Sequence, residues 1–244
     1  MKKHDQDFMK QQNRLTVFEI IKHNQPISRA SIAKRTGMSP TTVSRIVGEL
    51  AERGYLLESE QVSVGLGRRS TLLEMVDASV LSVGVELDRH QMIVGIVDIL
   101  GNVVCSGKYP RSTEESPDVT LELIGDKINQ LTLLNEIDGN RVIGIGVGLP
   151  GIVDNDAGVV VFSVQLGWKN VRLAERLKEI TGYDVVVDNE LKVKALAEHL
   201  KGAAKGSSRT ALLGFGNGVG SALIFEGEIY RGKRIAQVKS AIQR

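Results

Sequence analysis

Residues 25–53, QPISRASIAKRTGMSPTTVSRIVGELAER, constrain the fold of this chain more than any other stretch. They divide into two short helical patterns around a tight turn. Ser28 stands where a cap belongs, ahead of a helix whose apolar positions are Ile32 and Ala33, and Thr36-Gly37-Met38 breaks that helix. Ser39-Pro40 then supplies a hydroxyl cap and a proline at the first helical position, where its missing N–H costs nothing and its fixed φ suits the turn. In the helix that follows, Val43, Ile46, Val47, Leu50 and Ala51 recur at i, i+3, i+4, i+7 and i+8, one buried stripe. The opposite face carries Thr41, Thr42, Ser44, Arg45 and Glu49. Short hydroxyls and an arginine near the start of a helix let backbone approach phosphates and offer donors and acceptors to base edges. The pattern is that of a helix-turn-helix with residues 40–53 as the recognition helix. A plain helical hairpin with a solvated polar face shares the same cues.

The following residues favour the first reading. LLESEQVSVGLGRRSTLLEMV gives an apolar strand start, a polar, glycine-rich tip and a second strand over residues 71–76, a two-stranded wing. Arg68 and Arg69 fall at or just after its tip, where a planar, permanently charged guanidinium suits phosphate or minor-groove contact. Upstream, Leu15, Val17, Phe18, Ile20 and Ile21 predict the apolar side of a first helix over residues 13–23. Three helices and a basic wing make a winged helix-turn-helix. Its expected partner is a double-stranded DNA operator, contacted by Ser39, Thr41, Thr42, Ser44, Arg45, Arg68 and Arg69.

A length of 244 residues exceeds the usual single domain, so two domains are expected: residues 1–77, and a second domain over 78–232 followed by a tail, 233–244. Hydrophobic residues at 42% and charged ones at 25% are ordinary for a globular core and argue against disorder. Residues 1–76 hold 12 Lys/Arg against 8 Asp/Glu and the remainder 19 against 21, a basic head on a slightly acidic body. The lone Cys105 excludes an internal disulfide and a cysteine-rich zinc site, and suits a reducing cytoplasm. The N-terminus has two lysines but no apolar core after them, so it is not a signal peptide. The most apolar run, residues 142–162, is broken by Pro150, Asp154, Asp156 and glycines, and no membrane span is expected.

Beyond residue 79 the pattern changes. Strands are expected over 80–87, 91–98 and 102–106 as an antiparallel meander, then a helix over 119–134 with Val119, Leu121, Leu123, Ile124, Ile128 and Leu131 as its apolar residues. Residues 141–148 form a continuous apolar strand, expected to be buried on both faces. The strand runs into GLPGIVD, whose glycines let backbone approach a ligand or simply make a tight turn. An amphipathic helix over 171–181 precedes Asp188-Asn189-Glu190, at the end of a short strand and the start of a helix over 190–201. The carboxyl ends of strands in open α/β sheets favour ligands; a helix cap with a first-turn acid explains Asn189-Glu190 equally well. GFGNGVG links two further strands in a hairpin.

Taken in order over residues 12–232, the head sequence, the wing GLGRRSTLLE and the motifs GIGVGLPGIVD, LGWKNVRLAERL, VVVDNELKVKALAEHLKGAAKG and GFGNGVGSALIFEGEIYRG resemble the repressor branch of the ROK family of sugar-responsive repressors and sugar kinases. The resemblance implies an actin-like domain of the sugar kinase or ribonuclease H-like type behind the winged helix-turn-helix. It implies a repressor of carbohydrate-metabolism genes, usually a homodimer or higher oligomer on a palindromic operator. A sugar or sugar phosphate would be its effector, with Gly151, Asn189 and Glu190 as expected contacts.

Three departures from the family pattern qualify this. Kinase members carry an aspartate, glycine and threonine phosphate loop after the first strand of the second domain, where this chain has Glu86-Leu87-Asp88-Arg89-His90. The kinases' Asn-Asp pair, whose aspartate takes the proton of the sugar hydroxyl, is Asn189-Glu190 here. An extra methylene moves the carboxylate about 1 Å, enough to lose about a hundredfold in rate. After Gly232 the family continues into a Gly-Glu-Ile-Gly-His stretch, a zinc-binding cysteine cluster and a further lobe, whereas this chain reads KRIAQVKSAIQR. That ending reads as a truncated or frameshifted coding sequence. The expectation is a DNA-binding repressor with impaired effector sensing. No enzyme activity, catalytic residue, metal ligand or cofactor is expected; the alternatives are a sugar kinase with a DNA-binding head and a non-functional remnant.

Overall fold

The computed structural model describes residues 2–60, 71–215 and 219–231 and divides the chain into two units. One comprises Met1–Val80 with Asp98–Gly101, the other Leu81–Val97 with Asn102–Arg244.

The N-terminal unit runs α1 (Lys2–Asn24), β1 (Ile27–Ser28), α2 (Arg29–Thr36), α3 (Pro40–Glu52), β2 (Leu56–Glu60) and β3 (Thr71–Met75). Ser28 caps α2 by accepting from the Ser31 N–H at 3.2 Å, and Gly37, at φ 69°, ends it in the left-handed region that glycine enters without steric cost. Ser39 caps α3 by accepting from the Thr42 N–H at 3.1 Å. Val43, Ile46 and Val47 are buried at 0% exposure. They meet Val17 and Ile21 of α1, Ile32 of α2 and Leu73 of β3 in one core. β3 is the middle strand of a small antiparallel sheet, Leu56 opposite Met75 and Ile27 opposite Leu73. Two expectations are corrected. α1 begins at Lys2, well before residue 13, and Leu15 is 56% exposed. Leu15 precedes Val17 by two residues, about 200° around a helix, so the turn that buries Val17 and Ile21 faces it outward.

The second unit contains β4 (Leu81–Leu87), β5 (Gln91–Asp98), β6 (Val103–Pro110), α4 (Pro117–Leu134), β7 (Val142–Leu149), β8 (Ile152–Asp154), β9 (Val159–Ser163) and β10 (Trp168–Val171). It continues with α5 (Leu173–Thr181), β11 (Val185–Asn189), α6 (Glu190–Lys201), β12 (Arg209–Phe215), β13 (Val219–Phe225) and β14 (Glu228–Ile229). Five strands form a mixed sheet in the order β11-β7-β4-β5-β6, with β4, β7 and β11 parallel. Leu121, Ile124 and Ile128 of α4 and Leu173 and Leu177 of α5 pack with Val83, Val85, Ile145 and Val147 of the sheet. Val119 is exposed, since α4 turns that residue away from the sheet.

β7 is not buried on both faces throughout. Its pairing with β4 shifts register between Leu81 and Val83, which brings Val142 and Ile145 to the core and leaves Ile143 67% exposed. The other face is made of Gly144, Gly146 and Gly148, and α6 lies close over Gly148, where a Cβ would stand 3.8 Å from the Glu190 Cα. Two features went unassigned in the sequence. β8, β9 and β10 form a separate antiparallel sheet, and β6 extends to Pro110. In a third sheet, β12-β13-β14, Ala222 and Ile224 pack on Ala195 of α6, with Leu191 beside them. The arginines Arg68 and Arg69, the centre of the GFGNGVG turn and the tail after Arg231 lie outside the described residues. Among the described residues no helix is long and apolar enough to cross a membrane.

Candidate DNA-binding face and effector site

On α3, Thr41, Ser44 and Arg45 are exposed along the face opposite the core. Ser39 and Thr42 are used differently: their hydroxyls bond each other at 2.8 Å while Ser39 also caps the helix. Those two hydroxyls therefore shape the helix start, and the outward donors and acceptors come from Thr41, Ser44 and Arg45. Arg45 pairs with Glu49 one turn on, and Glu49 also accepts from Arg14 of α1 at 2.8 Å. The Arg14 hydrogen bond holds the Glu49 carboxyl below its ordinary range, so Arg45 lies beside an ionised partner. Periodicity could not have disclosed Arg14, because its partner lies thirty-five residues away. α3 has no acid in its first turn, so the positive end of its dipole is uncompensated.

The carboxyl ends of β4, β7 and β11 bring the second group together. Glu86, Gly148 and Asp188 lie in one row across the sheet. Gly151 follows β7 at φ 133°, where an added Cβ would stand 2.5 Å from the Phe162 carbonyl oxygen. Its own carbonyl accepts from Asn189 Nδ2 at 2.9 Å, and Asn189 Oδ1 accepts from the Leu191 N–H at 3.0 Å, capping α6. Asn189 thus joins the GLPG turn to the start of α6. Glu190 follows in the first turn, 3.6 Å from Lys194 Nζ, which lies 2.8 Å from Glu86. Burial pushes the Glu190 carboxyl up, offset in part by Lys194 and reinforced by Asp88 and Glu86. The Glu86 hydrogen bond raises the Lys194 ammonium. On the other side, Asp188 accepts from Arg231 at 2.5 Å and lies 3.9 Å from Lys192. The roles of Glu86, Lys192, Lys194 and Arg231 were not read from the sequence. Only the four-residue spacings of Glu190 with Lys194 and Asp188 with Lys192 carried a signal.

A winged helix-turn-helix DNA-binding model matches residues 11–56, and the ROK family model matches residues 82–237. The chain belongs to the ROK family. It is similar to the xylose repressor of Bacillus subtilis, 28% identical over 228 residues that make up 93% of this chain and 59% of that protein. Similarity to the N-acetylglucosamine repressor of Escherichia coli O157:H7 is 30% over 228 residues, 93% of this chain and 56% of that protein. The chain thus spans less than three fifths of the length of these ROK relatives. A solved ROK family transcriptional regulator, a homologue of the E. coli MLC protein, shares the fold with a TM-score of 0.78 at 24% identity, over 92% of this chain and 57% of that one. A ROK family glucokinase from Streptomyces griseus, solved with glucose and AMPPNP, superposes with a TM-score of 0.54 at 25% identity, over 63% of this chain and 47% of that one.

The zinc that the family resemblance implies needs a cysteine cluster. Cys105, half-buried with its thiol pushed up by burial, is the single cysteine in these 244 residues, so the donor set does not fit that group. Among the described residues no group of three or more His, Cys, Asp or Glu could hold a metal ion.

Proposed function

We propose that the chain is a sequence-specific, DNA-binding transcriptional repressor of carbohydrate-metabolism genes, acting in the cytoplasm as a homodimer. The observation that carries this is the α3 surface: a rigidly capped helix whose outward residues Thr41, Ser44 and Arg45 are hydroxyls and an arginine, with no first-turn acid to repel phosphate. Ser39 and Thr42 hold the helix start, Arg45 reads a base, and Arg68 and Arg69 grip phosphate or the minor groove from the wing. The names of the relatives, repressors of xylose and N-acetylglucosamine functions, support the same reading.

In the second unit, Gly151, Asn189 and Glu190 hold the hydroxyls of a sugar or sugar-phosphate effector, since amide, carbonyl and carboxylate together satisfy a polyol's donors and acceptors. Sugar binding alters the spacing of two DNA heads, and half-sites about one helical turn apart tolerate little change in that spacing. Phosphoryl transfer fits poorly. Glu86 and Asp88 place negative charge where a kinase member holds phosphate, and Lys194, a nearby cation, is already engaged by Glu86 and Glu190. The protein therefore acts without catalytic residues or cofactor.

The test compares Arg45→Ala with Arg69→Ala in binding to selected DNA. Arg45→Ala is expected to cost ~1–3 kcal/mol at one base position and to relax preference there. Arg69→Ala is expected to weaken all sequences alike and lower the salt slope by about one. Equal, sequence-independent losses for both would remove α3 as the reading element.

A further inference from the structure

Three buried polar atoms, on side chains that neighbour one another, find no hydrogen-bond partner among the described residues: Nη2 of Arg111, Oε2 of Glu115 and Nε1 of Trp168. Arg111 comes from the end of β6 and its side chain is fully buried, while Trp168 opens β10 at 1% exposure. The guanidinium lies over the indole, 5.6 Å from the ring centroid, and its Nε is 4.0 Å from Glu115 Oε2, too far for a direct bond. Its Nε reaches the Thr120 hydroxyl at 3.2 Å and its Nη1 the Arg89 carbonyl at 3.2 Å. Glu115 Oε1 is likewise used, accepting from the Ser112 N–H at 2.9 Å. Native proteins seldom leave such atoms unpaired, because each costs its full desolvation penalty.

Arg111 and Trp168 each touch a segment that neighbours a proposed effector contact. Arg111 holds the β4–β5 turn through the Arg89 and His90 carbonyls, and Asp88 of that turn acts on Glu190. Trp168 pairs with Ser163, which lies against Gly151. One N–H from each of Arg111 Nη2 and Trp168 Nε1, with the Glu115 carboxylate as acceptor, complements a single hydroxyl, which has two lone pairs and one proton.

We infer that Arg111, Glu115 and Trp168 form a subsite for one hydroxyl of a neutral polyol, so that the effector reaches beyond Gly151, Asn189 and Glu190 to the indole N–H. This rests on the sugar-effector reading above. A lone water molecule could also accept from both nitrogens and donate to the carboxylate, so the experiment must tell a ligand hydroxyl from water.

Trp168 is the single tryptophan of the chain, so tryptophan emission reports on its surroundings. The 244-residue chain is titrated with D-xylose, D-glucose and N-acetyl-D-glucosamine, following Trp168 fluorescence and the heat of binding together. The expected result is a saturable emission change for the sugar that binds, at the calorimetric midpoint. Glu115→Gln, which keeps the Ser112 contact, is expected to weaken that sugar about tenfold to a hundredfold, as does loss of a hydrogen bond to a charged group. Glu115→Ala is expected to act in the same direction, and an emission change with undiminished affinity in both variants would likewise overturn the subsite. Sugar binding by heat with no emission change and no effect of Glu115→Gln would assign the oxygen to water and overturn the subsite, leaving the effector reading intact. No heat of binding for any sugar would overturn both.

Discussion

Helices α3 and α6 both start from a polar cap, Ser39 accepting from the Thr42 N–H and Asn189 accepting from the Leu191 N–H, yet their first turns carry opposite chemistry. α3 places Thr41 and Thr42 there and no acid; α6 places Glu190 there, with Lys194 one turn on. A helix N-terminus carries about half a positive charge and attracts an anion. At α6 that anion is built in, so an incoming ligand meets a satisfied dipole and a row of paired charges. At α3 the dipole is open, and an anion must come from outside. The same local device thus suits a phosphate backbone in one unit and uncharged hydroxyls in the other.

The comparison is broken most forcefully by unfolding one side of it. Ile46→Ala, at 0% exposure in the head core, is expected to cost ~2–5 kcal/mol. DNA binding and the head's melting transition should be lost while the second unit's transition stays in place; loss of both transitions would show that the units do not fold independently. Thr41→Asp gives α3 the first-turn acid that α6 has. It is expected to stabilise the helix by ~0.3–1 kcal/mol while lowering DNA affinity, a rise in Tm with a fall in binding. Unchanged DNA affinity would mean that phosphate does not approach this helix end.

The smallest effect is at Glu190. Burial raises its carboxyl in the folded state above the ordinary value of about 4.3, so folding favours the protonated form. Its contribution is then full below that ordinary value and is lost as pH rises through the raised one. Glu190→Gln should therefore flatten the decline of Tm from pH ~4 upward; an unchanged pH profile would contradict the assignment of burial as the cause.

How much of this could be read from residues alone depends on whether the cause was local. The start of α3 was legible because Ser39-Pro40 is a cap signal followed by a clean 3.6-residue stripe. Ser116-Pro117 is the same signal, with Ser116 accepting from the Val119 N–H at 3.3 Å, but the expected helix was begun at residue 119. The apolar periodicity of α4 starts only after its cap, because its first buried residue is Thr120. The GLPG turn and the Asn189 cap were found separately; the hydrogen bond between Asn189 and Gly151 spans thirty-eight residues, and no periodicity encodes it. The β8–β10 sheet escaped because its strands are three to five residues long. The Arg111, Glu115 and Trp168 cluster escaped for a further reason: a buried arginine reads as a surface residue until its neighbours are known.

The most direct test of a sugar-responsive repressor is to equilibrate the purified 244-residue chain with genomic fragments, recover the bound ones and sequence them, with and without D-xylose or N-acetyl-D-glucosamine. The expected result is enrichment of a palindrome beside sugar-transport or sugar-catabolic genes, released by one of the sugars. Uniform, salt-sensitive recovery of all fragments, unaffected by either sugar, would contradict both the reading role of α3 and the effector role of Gly151, Asn189 and Glu190.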